Sequence, residues 1–192
     1  MTTEVEGASR RRSVLSAAVA AVAVFGAACS HGASQTPAPA GAGVNRDLAA
    51  LRNATEPFKD LSRAVAAGYV AEVKDCIVHE HHGAMGYHHI NRANIARDLA
   101  VDHPQFLLYE RREDGSYRLN GVEFILPYRL WPRDTTAPVL MGQTLKHEDS
   151  FQYWYLHVWA WNENPEGTFA DFHPAVTCPP GAAKIYRPNP PN

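Results

Sequence analysis

Long apolar runs, blocks of positive charge and cysteines are all scarce in this 192-residue chain, and each scarcity removes a class of protein. No stretch reaches the roughly 20 apolar residues that a spanning helix needs. Lys and Arg number 18 against 20 Asp and Glu, a formal charge of −2. With no Lys/Arg block in the body of the chain, nucleic acid is not an expected partner. Nucleotide and acyl-transfer signatures are missing too: there is no Gly-x-x-x-x-Gly-Lys, no Gly-x-Gly-x-x-Gly and no Gly-x-Ser-x-Gly elbow. A His-Glu-x-x-His helix motif is absent, and so is the Cys-x-x-Cys-His that would attach haem covalently. What is present is a 45% hydrophobic composition, ordinary for a globular protein and too rich for a mainly disordered one.

The first 28 residues read as a signal peptide. Arg10, Arg11 and Arg12 precede an almost unbroken apolar run from Val14 to Ala28, the length of a signal core rather than of a membrane span. Arg11-Arg12 followed by Ser13, Val14 and Leu15 resembles a twin-arginine signal, a route taken by proteins that are already folded. Gly26-Ala27-Ala28-Cys29-Ser30 resembles a lipoprotein cleavage box, with Cys29 as the acylated residue and the chain's one link to a membrane; cleavage after an Ala-x-Ala-like site, leaving Cys29 incidental, is the alternative. Residues 29–43, rich in Ala, Pro, Gly and Ser, then read as a flexible spacer. The expected destination is the cell envelope or the exterior.

With Cys29 assigned to a lipid, Cys76 and Cys178 remain as a pair. A bond between them suits an oxidising compartment and closes a loop of about a hundred residues, for which chain entropy credits roughly 4 to 5 kcal/mol. The competing reading makes either one a thiolate metal ligand.

The body, residues 44–178, reads as one α+β domain: a helical segment packed on a mostly antiparallel sheet. Leu48, Leu51, Phe58, Leu61 and Val65 recur at helical spacing between Arg46 and Gly68, with a break at Pro57 and a cap at Gly68. Gln105–Arg111 and Tyr117–Leu126 flank an Asp114-Gly115 turn and predict a hairpin. Val139–Leu145 and the aromatic Phe151–Trp161 predict two further strands. Residues 179–192, with five prolines, read as an extended, mobile tail.

Histidine is where chemistry enters. His79, His81, His82, His88 and His89 fall within eleven residues, with Met85 among them. Neutral imidazole suits zinc, copper, iron and nickel, and a thioether suits copper. Gly83 and Gly86 place this run on a turn-rich loop; a solvated polar loop of no specific role is the plain alternative. Period-two reading of the last strand puts Tyr153, Tyr155, His157, Trp159 and Trp161 on one side and Trp154, Leu156, Val158 and Ala160 on the other. The aliphatic side belongs to the core, so the aromatic row either packs under a loop or lines a pocket. Glu123, between Val122 and Phe124, faces solvent or else needs a cation, since a carboxylate buried alone is costly.

The runs Gly83-Ala84-Met85-Gly86-Tyr87-His88, Gly121-Val122-Glu123-Phe124, Leu156-His157-Val158-Trp159 and Phe172 to Cys178 resemble a widespread group of uncharacterised exported bacterial proteins, across Thr55 to Cys178. No activity attaches to that group. The resemblance implies that His88, Glu123 and His157 are its matching positions, with Met85, Cys76 and Cys178. The expected function is therefore metal binding (copper, zinc or iron) through His88, His157 and Glu123. His81, His82 and Met85 are further ligands that tilt the choice to copper, and Tyr153, Tyr155 and Trp159 wall the site. The alternative is a binder of haem or of a small flat aromatic molecule, with catalysis left open in either case.

Overall fold

Among the described residues the two α-helices come first, and the second gives way to a turn at a glycine. A computed structural model describes residues 40–187; the signal segment 1–28, Cys29 with its lipid box, most of the spacer and the last five residues lie outside the described residues. Helix α1 spans Ala40–Thr55 and so begins inside the stretch read as spacer. A short 3-10 turn, Glu56–Lys59, carries Pro57 near its start, where a missing N–H costs nothing. Helix α2, Leu61–Ala66, is capped by Asp60, which accepts from the Ser62 amide. Gly68 then turns the chain with φ of +96°, a left-handed conformation that glycine adopts without strain. Leu51 is fully buried, but Val65, expected in the core, is 52% exposed because α2 lasts too briefly for its outer face to meet the sheet.

Seven strands form the sheet: β1 (Cys76–His79), β2 (Gly83–Ile90), β3 (Phe106–Arg111), β4 (Tyr117–Pro127), β7 (Lys146–Glu148), β8 (Tyr153–Val158) and β9 (Lys184–Tyr186), in spatial order β7-β8-β4-β3-β2-β1-β9. All neighbours are antiparallel except β1 and β9. The predicted hairpin is β3–β4, closed by the Asp114-Gly115 turn. The expected single strand at Val139–Leu145 is instead a miniature hairpin, β5 (Val139–Leu140) and β6 (Gln143–Thr144). Met141 and Gly142 between them both have positive φ, the backbone a two-residue hairpin loop requires.

Strand alternation divides the sheet into two unlike faces. Leu107, Tyr109, Val122, Phe124, Leu126, Trp154, Leu156 and Val158 pack with Leu51 and Ala64 of the helices, so this face is the core. The opposite face carries His88, Glu123, Tyr155 and His157 and is covered by the segment around Asp171 and Phe172 and by the end of β9.

Three expectations change here. The histidine run is not a loop: it is β1, a tight turn and β2. Its glycines serve the turn and a bulge, with Gly86 at φ of +88° and its α-carbon so close to the Tyr109 carbonyl that a β-carbon would lie 2.3 Å from the oxygen. Strand β8 ends at Val158, so the alternation does not carry through Trp159 and Trp161. The tail is not free throughout, since Lys184–Tyr186 pairs in parallel with Cys76–Val78. The Cys76–Cys178 disulfide joins the segment before β9 to the start of β1, which settles the reading of these two residues against thiolate ligation.

Candidate metal centre

Register brings the donors together. On adjacent antiparallel strands Glu123 stands directly opposite His157, and such pairs share a face with β-carbons about 4.5–5.5 Å apart. One strand over, Phe106 is opposite Glu123 and Ile90 opposite Phe106; His88, two residues from Ile90, therefore projects from the same face. Glu123 Oε2 lies 3.6 Å from His88 Nε2, and Glu123 Oε1 lies 3.8 Å from His157 Nε2. One donor atom from each residue falls within 4.8 Å of the other two.

These separations are too long for hydrogen bonds and nearly right for a metal. Ligands held at 2.0–2.2 Å from one ion at tetrahedral angles stand roughly 3.3–3.5 Å apart, so donor atoms within 4.8 Å of one another close on a shared ion by side-chain shifts of up to about 1 Å. His157 Nε2 is buried without a hydrogen-bond partner, as a ring nitrogen reserved for a metal would be. His88, Glu123 and His157 are 4, 4 and 2% exposed, and among the described residues they are the one cluster of three or more His, Cys, Asp or Glu residues with metal-like spacing.

Burial sets the protonation states. It drives the His88 imidazolium pKa down to about 3, helped by the neighbouring His157, so His88 is the neutral imidazole that coordination needs. Burial also raises the Glu123 carboxyl above its ordinary range, against the opposing pull of His157. A carboxylate kept here without a cation is costly.

Asp171 is the functional residue that the sequence reading missed. Its Oδ1 lies 3.3 Å from His157 Nδ1, and Oδ2 takes Lys146 Nζ at 2.9 Å and the Tyr155 hydroxyl at 3.3 Å. Burial pushes the Asp171 carboxyl up, but His157 and Lys146 outweigh it and leave it below the usual range. An ionised Asp171 can only accept, so His157 Nδ1 carries a proton, and Nε2 is the nitrogen left to face Glu123 or an ion. A carboxylate behind a histidine orients metal ligands widely, and its loss typically costs 10–100-fold in affinity. Asp171→Ala is accordingly expected to weaken metal binding by about that factor while the chain stays folded, as measured by competition with a chromophoric chelator. Undiminished affinity would show that His157 needs no such support.

The remaining candidates divide cleanly. Tyr153, Tyr155 and Met85 line the same cavity as the three donors, but Trp159 does not; it packs with Val78, Leu108 and Val176 and donates to the Ala170 carbonyl. Trp161 turns to the helical side, donating to Thr55 Oγ1. His81 and His82 sit on the β1–β2 turn, where both backbone amides donate to His79 Nδ1 and His82 Nδ1 lies 3.4 Å from Glu166; neither belongs to the donor group. His89 points to the other face, its ring against Tyr109 and Tyr117. His173 is structural, bonded through Nε2 to the Glu163 carbonyl and through Nδ1 to the Ala175 amide.

The structure thus holds a buried His88/Glu123/His157 group capable of binding a metal, together with an intrachain disulfide. No family model, curated protein or solved structure matches the chain.

Proposed function

We propose that this is an exported, lipid-anchored metal-binding protein of the cell envelope whose ion is held by His88, His157 and Glu123. One observation carries the reading: three donors from three strands converge, buried, at separations that suit a shared ion better than they suit one another. Export and anchoring rest on the signal-like first 28 residues and the box at Cys29, and a disulfide is at home in an oxidising compartment.

Two imidazoles and one carboxylate leave coordination positions open, an arrangement used with zinc and with iron. The tilt to copper rests on Met85 alone, which lines the same cavity as the three donors, because His81 and His82 stand apart on the β1–β2 turn. A bound zinc or iron ion would supply Lewis acidity or dioxygen chemistry there. The chain's own part is to hold His88 neutral, to fix the His157 tautomer through Asp171 and to restrict water.

Elemental analysis of protein exported by its own route, carrying no histidine tag, is expected to find about one transition-metal ion per chain. The His88→Ala/His157→Ala double variant is expected to retain the fold and lose the ion. An ion retained in that variant would move the site to the β1–β2 turn and overturn the proposal. The haem alternative fits less well: the cavity measures about 240 Å³, below the roughly 300 Å³ at which pockets for drug-sized ligands begin. No Soret band is expected.

A further inference from the structure

The cavity above the three donors has a composition that selects a ligand. Its walls come from Phe106, Tyr153, Phe172, Ile77, Met85 and Ile185, and its floor is the donor group itself. Aromatic side chains therefore face whatever occupies the open positions of an ion held there.

Four other charged groups belong to this face, and they cancel in pairs. Lys146 and Glu148 lie opposite Tyr155 and Tyr153 in the β7–β8 ladder, which turns both towards the cavity side. Lys146 neutralises Asp171 at 2.9 Å, and Arg187 pairs with Glu148 at 3.4 Å. The Arg187 guanidinium also lies 4.6 Å over the Phe151 ring at the rim, so it is already engaged on two sides. A divalent ion with Glu123 as its one anionic ligand then leaves a single net positive charge. That charge is buried at the bottom of apolar walls, where an unmatched charge is heavily penalised.

We propose, building on the metal-binding reading, that the cavity binds a small organic monoanion with an apolar or aromatic body. Its charged head meets the ion, and its body lies between Phe106, Tyr153 and Phe172. A neutral ligand leaves the charge uncompensated, and a dianion brings a second charge into the apolar walls. The 240 Å³ volume lies below the usual range for drug-sized ligands, and a single ring with one carboxylate is of the right scale.

The test uses full-length mature protein loaded with cobalt(II), whose visible bands report directly on ligation. Cobalt content is measured first, and four probes are then titrated: benzoate, acetate, benzyl alcohol and succinate. Benzoate is expected to shift the cobalt bands and to bind at least ten-fold more tightly than each of the other three. Phe106→Val, at a half-buried strand position, is expected to narrow the benzoate-over-acetate preference several-fold with cobalt content unchanged. Should cobalt bind at one per chain while benzoate does no better than acetate or succinate, the ligand class is wrong and the metal site stands. Should cobalt fail to bind, the metal reading falls and this inference falls with it.

Discussion

Glu123→Gln is expected to abolish stoichiometric metal binding and, in the same protein freed of metal, to raise stability at neutral pH. Both effects follow from one carboxylate. Burial holds the Glu123 carboxyl pKa above its ordinary value, which means that its ionised form is disfavoured in the folded state. A raised folded-state pKa contributes stability at low pH that disappears as pH rises from the unfolded value through the folded one. At neutral pH the metal-free wild type therefore carries the penalty, and glutamine of the same shape does not. Urea unfolding in the presence of a chelator measures the difference, which is expected to shrink as pH falls towards the ordinary carboxyl range near 4.5. A variant less stable than the wild type at neutral pH would mean that the carboxylate serves the fold, and the case for a metal would lose its physical basis. Gains in stability on removing a functional group are the usual signature of a site that evolution maintains at a cost.

Removing the disulfide is the second large effect. Cys76 and Cys178 are 102 residues apart, and chain entropy for a loop of about a hundred residues gives roughly 4.7 kcal/mol, with measured values often lower. The Cys76→Ala/Cys178→Ala variant is expected to lose about 3–4 kcal/mol, or roughly ten degrees in melting temperature for a domain of this size. Part of that loss is local, because Cys76 is fully buried. Reducing the wild-type disulfide makes the same comparison without deleting side-chain atoms. A loss under about 1 kcal/mol in both would show that β-pairing alone already confines the two segments in the unfolded ensemble.

How far the sequence was legible depended on whether period and pairing survived in each segment. The alternation of Tyr153, Tyr155 and His157 against Trp154, Leu156 and Val158 named the two faces of β8 correctly. It failed at Trp159 because the strand had ended. Glu123 stood out because an acid between Val122 and Phe124 has to be explained, and the register shows His157 opposite it. His88 was visible as one of five histidines, but nothing in their spacing separated it from His89, which the pleat sends to the other face. Gly83 and Gly86 misled: positive-φ glycines that suggest a loop also build a turn and a bulge inside a hairpin. Asp171 left no signal of its own, because it lies in an irregular segment without periodicity. The nearest clue was its place just before the Phe172-His173-Pro174 run.

Strand β9 has a consequence for how such a molecule is made. Ile185 and Arg187 border the cavity, and β9, to which Ile185 belongs, pairs with β1, more than a hundred residues earlier in the chain. Synthesis therefore lays down the floor of the cavity well before this part of its rim, and β1 has to wait for a partner that follows it by a whole sheet.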